Sequence, residues 1–506
     1  MFSINTSLTP DDKIARRITT AKYGYITLLV SLGVVVFLLI RSYIAGFLPR
    51  KIRRPIPLPL VVVTTTGVLL LLSFLQTHDD YIYLTKRLGR VSAAIMPVLV
   101  FLSLKPSPIP RESYLRLLPL HIWLGRILFV LGTAHGVLYL VYFAKTGHPK
   151  KILHPPHFLG VLLMAGFLLT FLTSFYIIRK YNHELFFRSH IALSWIYIPL
   201  LAYHSSPRAW IIVALLMLFG GAQLFQRFGY SQDCRVEVNR ISSSLLLVTL
   251  PRNLFPKYFE AGSHVRFSPT RQDSSWWFLA ASHPYTIASL CGDDDTVRLV
   301  VAPSKRFKFE NDGHYLVHGP YASLSYDFFV DMYKSEKTLR RTLIIAGGAG
   351  ISFAIPIART LRKMNENVKV IWTIRSQKDI QILRILNFED INVFVSTNEE
   401  AESLLESTEF ADSSIAVGND IPQLELQTAK ATLDEQVEPD QNRLIHLNQR
   451  RLDIEKEVQD FLATLRVESA DSNMWLISCG GRNLVSQCSK VGRKFGAIVH
   501  EEVYDV

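Results

Sequence analysis

Cysteine is scarce, with 4 residues in 506, and Cys234, Cys291, Cys479 and Cys488 all follow the last long apolar run with no Cys-x-x-Cys pairing. That spacing argues against a disulfide framework and against a structural zinc site. Charge is thin as well: 19% of residues are charged, 49% are hydrophobic and the mean hydropathy is +0.20. An ordinary soluble chain of this size is thereby excluded in favour of a membrane protein with a soluble part. Acidic residues are outnumbered, 43 against 55 basic, for a net charge of +12. The basic residues are spread through short loops and no aromatic-basic recognition module is visible, so membrane surface and anionic cofactors are the expected partners and nucleic acid is not. A cleavable signal peptide is also missing, because the polar first twenty residues lead into an apolar run long enough to act as a signal anchor. Asn5-Thr6-Ser7 fits a glycosylation sequon that matters only if the N-terminus faces a lumen.

After a polar segment at 1–22, apolar segments fall at about 23–45, 59–77, 91–105, 119–143, 157–178, 188–204 and 209–225, which predicts about seven spans in a membrane domain at 23–226. An odd count puts the termini on opposite sides. The C-terminus is assigned to the cytosol because the second half reads as a nucleotide-using module.

Two of these segments carry histidines at the same spacing: His121 and His135 lie fourteen residues apart, as do His190 and His204. Fourteen helical steps return to within about 40° of the starting direction and advance about 21 Å, so each pair shares one face across the hydrocarbon core. Two such helices side by side offer two facing imidazole pairs, and a bis-histidine pair holds a haem iron from both sides. A lone histidine on an apolar helix is usually just packed or hydrogen-bonded. Intramembrane ionisable groups, however, are costly and mark function, and two equally spaced pairs favour ligation. A haem-free channel or transporter is the remaining reading of these helices.

Beyond Arg227 the texture changes to short alternating runs (RVEVNRISSSLLLVTL, SHVRFSP, SWWFLAAS, TIASL, TVRLVVAP, YLVHGPY), which predict a compact β domain at 227–335. From 336 to 506 the order is strand, glycine loop, helix, strand, the grammar of a parallel α/β domain. Gly347-Gly348-Ala349-Gly350 follows a strand and opens a helix, so bare amides and the helix N-terminus can receive a pyrophosphate. An acidic stretch at about 398–472 reads as an insertion, with a helix at DIEKEVQDFLATL and mobile chain elsewhere.

Together these features resemble the ferric reductase and NADPH oxidase superfamily, most nearly the fungal ferric-reductase-like transmembrane NADPH oxidases of the endoplasmic reticulum, over about residues 90–505 with the acidic stretch outside. The string His121-Ile122-Trp123-Leu124-Gly125-Arg126 matches the family's first haem helix. The resemblance implies a multi-pass bis-haem domain followed by a ferredoxin-reductase-like module, a β-barrel FAD domain plus an α/β NADPH domain. It pairs His121 with His190 and His135 with His204 on two b-type haems (heme b). His283-Pro284-Tyr285-Thr286 matches the flavin motif, in which Tyr285 flanks the isoalloxazine and Thr286 points a hydrogen bond at flavin N5. Arg298 is a candidate pyrophosphate partner. Gly319-Pro320-Tyr321-Ala322 resembles a Gly-Pro-aromatic-Gly loop, with alanine narrowing the last position. Arg375 stands where the family places an arginine for the adenosine 2′-phosphate, favouring NADPH over NADH. Cys479-Gly480 resembles the Cys-Gly of the nicotinamide site, although Gly481 replaces the usual proline and a buried structural thiol is the competing account. Tyr504 is the candidate C-terminal aromatic over the flavin.

Such a chain carries electrons from cytosolic NADPH through FAD and two haems to an acceptor across the membrane. Molecular oxygen, giving superoxide, is favoured by the resemblance; a ferric or cupric chelate is the alternative. The same resemblance implies the endoplasmic reticulum, with the plasma membrane as the alternative. A non-catalytic membrane protein on a degenerate reductase scaffold is the remaining class, given Ala322 and Gly481. The sequence names no protein partner.

Overall fold

The computed structural model of the protein describes residues 9–44, 58–77, 80–105, 107, 109, 114–206, 208–270, 282–292, 295–304, 307–322, 341–364, 366–396, 445–463 and 474–504. Two compact units are present: one built mainly from the chain up to Gln232, with 268–282 and 316–319 grouped with it, and one from the remainder. The Asn5 sequon, residues 275–281 of the SWWFLAAS run and most of the acidic stretch lie outside the described residues.

The first unit is helical. Helix α1 (Pro10–Ile44) starts thirteen residues before its apolar run, because Thr9, Pro10 and Asp12 form an N-terminal cap. The Asp12 amide donates to Thr9 Oγ1 (3.1 Å), and Asp12 Oδ2 accepts from the Thr9 amide (3.2 Å) and hydroxyl (2.7 Å). This is a reciprocal capping box with proline at the first helical position. Then come α2 (Leu58–Phe74), α3 (Tyr81–Leu102), α4 (Tyr114–Lys145), α5 (Pro155–Thr173), the short α6 (Tyr176–Tyr181), α7 (His183–His204) and α8 (Trp210–Gly229). Five of them, α1, α4, α5, α7 and α8, are long and apolar enough to cross a membrane, and Pro59–Phe74 is a shorter apolar helix. The chain is a membrane protein.

Helix α3 differs most from expectation, since its span was placed at 91–105 and the helix begins at Tyr81. Lys86, Arg87 and Arg90 interrupt the apolar pattern there, yet Arg87 is fully buried. Its guanidinium lies 3.7 Å from the Tyr23 ring centre and donates to the carbonyls of Leu72 (3.1 Å) and Leu75 (3.2 Å). Those carbonyls belong to the end of α2, where the backbone has no intrahelical donors left, so the arginine caps one helix from within another. Asp80 caps α3 by accepting from the Tyr83 amide (2.7 Å) and pairs with Arg16 of α1 (2.6 Å).

The β part of the chain, most of it in the second unit, holds β1 (Ser231–Arg235), β2 (Glu237–Arg240), β3 (Leu246–Pro251), β4 (His264–Pro269), β5 (His283–Thr286), β6 (Thr296–Val301) and β7 (His314–Tyr321). Strands β2, β3 and β6 form one antiparallel sheet, and β4 pairs antiparallel with β5, setting His264 opposite Thr286 and Val265 opposite Tyr285.

The α/β part holds β8 (Arg341–Gly347), α9 (Ile351–Lys363), β9 (Asn367–Ile374), α10 (Gln381–Ile385), β10 (Ile391–Val395), β11 (Ile445–Asn448), α11 (Ile454–Ala463), β12 (Met474–Gly480), α12 (Arg482–Lys494) and β13 (Ile498–Val503). Its six parallel strands run β11-β10-β9-β8-β12-β13. Strand order therefore reverses between β8 and β12, and a doubly wound sheet opens its ligand crevice at the carboxyl ends of the strands flanking that reversal. Strand β11 and helix α11 lie inside the stretch set apart as an insertion. The helix was expected, whereas β11 pairs in register with β10 from Ile391–Ile445 to Phe394–Asn448, so the sheet reclaims this part. One core joins β domain and α/β domain, with Leu247 and Val300 packed among Ile344, Phe353 and Trp372. The Ser352 hydroxyl clamps both backbone groups of Val300 at 2.9 Å.

Candidate functional site

In the helical unit the four histidines stand as two facing pairs between α4 and α7. Ring centres of His121 and His190 are 6.2 Å apart, and those of His135 and His204 are also 6.2 Å apart. A ring centre lies about 1.2 Å from its ring nitrogen and a metal–imidazole bond runs about 2 Å, so a metal gripped from both sides sets the centres about 6.4 Å apart. Three rings are oriented by backbone: His121 Nδ1 lies 3.0 Å from the Leu99 carbonyl, His135 Nδ1 2.7 Å from Thr85 and His204 Nδ1 2.7 Å from Pro156. A carbonyl only accepts, so Nδ1 carries the proton and Nε2 keeps the lone pair a metal needs. His190 Nδ1 is buried with no hydrogen-bond partner among the described residues.

Glycines make the room. A Cβ on Gly89 would stand 2.6 Å from the His135 ring, and one on Gly160 2.7 Å from the His204 ring. Beside this pair lies a cavity of about 330 Å³ lined by both rings, Tyr139, His157 and the cations Arg17, Lys86, Arg90 and Arg208. Ligand chemistry, spacing and tautomers all fit haem, and the cations suit its two propionates. No local pattern marks those cations, because they come from three separate places in the chain between positions 17 and 208.

In the second unit the reversal point brings two glycine turns into contact. A Cβ on Gly350 would meet the Cys479 carbonyl oxygen at 2.4 Å, and one on Gly480 the Gly347 oxygen at 3.0 Å. Gly348 (φ 51°) and Gly480 (φ 142°) adopt backbone angles that side chains resist. Trp372 Nε1 donates to the Gly348 carbonyl (2.9 Å) and holds the loop. Arg375 is exposed one residue past β9, at the same carboxyl edge of the sheet.

Thr286, Cys479, Gly480 and Tyr504 meet at this edge. The Tyr504 amide donates to the Gly480 carbonyl and its hydroxyl to Thr286 Oγ1, both at 2.8 Å. Burial raises the Tyr504 hydroxyl well above its ordinary pKa. Burial likewise pushes the Cys479 thiol up, and Sγ lies 3.8 Å from the Ile345 carbonyl. Tyr285 is half-buried beside Phe309 (ring centres 5.1 Å), and its hydroxyl is raised by burial. Pro284 and His283 precede it on β5, with His283 4.8 Å from the Phe307 ring centre. Gly319 takes φ 116° in β7. Arg298, expected at a pyrophosphate, donates instead to the Ile385 carbonyl (2.7 Å) at the end of α10. Glu502, unmarked in the sequence, lies opposite Cys479 on β13 and is pushed up to about 7 by burial.

Known proteins match the same divisions. The ferric reductase like transmembrane component family matches residues 88–201, an FAD-binding domain 232–340 and the ferric reductase NAD binding domain 340–492. A "probable metalloreductase AIM14" of Yarrowia lipolytica is 35% identical over 364 residues, 71% of this chain and 67% of that one. A protein of the same description from Scheffersomyces stipitis is 30% identical over 460 residues, 85% of this chain and 82% of the other. Among solved structures, a ferredoxin NADP+ reductase from Neisseria gonorrhoeae with bound FAD and NADP covers 54% of this chain and 98% of its own, at 10% identity and a TM-score of 0.35. A helical membrane unit joined to FAD-binding and NAD-binding domains, and relatives that share it over most of their length, place this chain in the ferric reductase and NADPH oxidase superfamily.

Proposed function

We propose that this oxidoreductase takes electrons from NADPH on the cytosolic side and delivers them singly, across the membrane, to a ferric or cupric chelate. The observation that carries this reading is the pair of facing imidazole sets at 6.2 Å on α4 and α7. His121 with His190 and His135 with His204 would each hold one haem, and haem supplies a one-electron station where FAD supplies the exchange between hydride and single electrons.

The chain's own residues bind, orient and insulate. Backbone carbonyls of Leu99, Thr85 and Pro156 fix three imidazole tautomers and with them the direction of each lone pair. Amides of Gly347, Gly348 and Gly350, at the start of α9, suit the NADPH pyrophosphate. Arg375 suits the 2′-phosphate. Tyr504 and Thr286, bonded to each other, would flank the flavin next to Gly480, with His283, Pro284 and Tyr285 on the strand behind. The relatives are named as probable metalloreductases, and that supports the choice of acceptor. Residence in the endoplasmic reticulum belongs to the same reading.

A difference spectrum of purified protein under anaerobic NADPH tests it: b-type bands should appear, then collapse on adding ferric chelate while ferrous iron accumulates. Molecular oxygen, the acceptor implied by the resemblance, is the competing outcome, read as superoxide formed faster than ferrous iron. Well-folded protein without porphyrin, or haem that NADPH leaves oxidised, refutes the reading.

A further inference from the structure

The cavity beside His135 and His204 is lined by Arg17 of α1, Lys86 and Arg90 of α3, and Arg208 before α8, and by no aspartate or glutamate among the described residues. Arg17, Lys86 and Arg208 are exposed, whereas Arg90 is half-buried and its Nη1 has neither solvent contact nor a hydrogen-bond partner among the described residues. The nearby carboxylate of Asp80 is already engaged by Arg16 and the Tyr83 amide. A second, more open recess shares Arg17 and Arg208 and adds Lys22. Like charges gather this way only where something negative compensates them.

Haem accounts for part of this. Its two propionates would neutralise two of the four cations, leaving an excess of two charges at the mouth. We propose that this excess forms a docking site for a polycarboxylate ferric chelate, with Arg17 and Arg208 at the mouth gripping its carboxylates and Arg90 and Lys86 serving the inner carboxylates. The inference rests on the metalloreductase reading and names the residues that select its substrate by charge. The reaction balances as one NADPH giving one NADP+ and one proton while two ferric chelates each take one electron. No proton has to reach the chelate, in keeping with the absence of aspartate and glutamate from the described lining.

Charge is the variable to test. NADPH-reduced full-length protein is mixed with ferricyanide, ferric citrate or hexaammineruthenium(III), all one-electron oxidants, and reoxidation is followed by stopped flow in wild type and in the double variant Arg17→Gln, Arg208→Gln. A trianion loses two favourable charges at the mouth. The expected result is an approximately tenfold slower reaction with ferricyanide and ferric citrate at low salt, shrinking as salt rises, with no slowing of the ruthenium cation. Haem content per flavin should stay at the wild-type value. Equal slowing of all three oxidants overturns the proposal, since it reports a damaged relay. Unchanged rates overturn it too. Lower haem content with unaltered discrimination overturns it by assigning these two arginines to the propionates. Redox-inert gallium(III) citrate supplies a readout independent of electron flow: its equilibrium affinity should fall about tenfold in the double variant. If NADPH reduces no haem even in wild type, the metalloreductase reading fails, and the gallium titration still decides the anion site, with unchanged affinity overturning it.

Discussion

Replacing Gly89 by alanine tests the haem reading at a single atom. The new Cβ would stand 2.6 Å from Cε1 and Nδ1 of His135 and 2.8 Å from its Cγ. Carbon contacts settle at about 3.5–4.0 Å, so the ring has to retreat by at least about 0.9 Å. Rotating the ring gives no relief, because Cγ is its root and is itself in conflict. The whole side chain must move, which also strains the 2.7 Å bond from Nδ1 to the Thr85 carbonyl. Overpacking of this kind costs about 1–3 kcal/mol, and a metal–ligand bond tolerates only about 0.2 Å. The expected outcome is selective loss of the His135–His204 haem, so that haem per FAD falls from two towards one while NADPH still reduces the remaining centre. Gly160→Ala, acting on His204 from 2.7 Å, should do the same. Gly125→Ala, whose Cβ has no packing neighbour within 4 Å among the described residues, should keep both haems. Pyridine haemochrome quantitation against flavin fluorescence measures this ratio. Two haems per flavin in Gly89→Ala, with unchanged midpoint potentials, would refute the reasoning.

Other outcomes follow from the second unit. Gly350→Ala drives a Cβ to 2.4 Å from the Cys479 carbonyl oxygen, so NADPH affinity should fall more than tenfold by titration while FAD content is retained; equal affinity counts against the crevice assignment. Glu502 carries a carboxyl raised from the ordinary 4.5 to about 7, so the folded state holds its proton longer than the unfolded state. Stability from this group is full below about pH 4.5 and is lost as pH rises through about 7, by at most about 3 kcal/mol. Glu502→Gln should therefore match wild type in thermal melts at pH 5 and exceed it at pH 8; parallel pH curves would show that Glu502 titrates normally. Tyr504→Phe removes the 2.8 Å bond to Thr286, a contribution of about 0.5–1.5 kcal/mol, and flavin reduction by NADPH should slow two- to tenfold in stopped flow. Unchanged reduction would leave Tyr504 a purely structural residue.

What the sequence disclosed depends on distance along the chain. Histidine spacing is a local signal, since helical period alone puts His121 with His135 and His190 with His204 on common faces, and the alternation of strands with glycine turns gave the α/β module. Helix α3 was misjudged at its start because hydropathy treats Arg87 as solvated, whereas its charge is spent on the Leu72 and Leu75 carbonyls and the Tyr23 ring. Strand β11 was hidden in an acidic stretch because four residues at a sheet edge carry too little pattern to stand out. Arg298 could not be assigned from its strand, since its acceptor, the Ile385 carbonyl, lies 87 positions away. The basic cavity was illegible for the same reason, being assembled by packing rather than by any local motif.

The abutting turns at Gly347–Gly350 and Cys479–Gly480 constrain how this enzyme can change. Their gap is set backbone against backbone, so no side-chain replacement there can adjust it in small steps. On the proposed reading, change in coenzyme preference would then fall to position 375, exposed just past the carboxyl end of β9, where a substitution alters charge rather than backbone spacing.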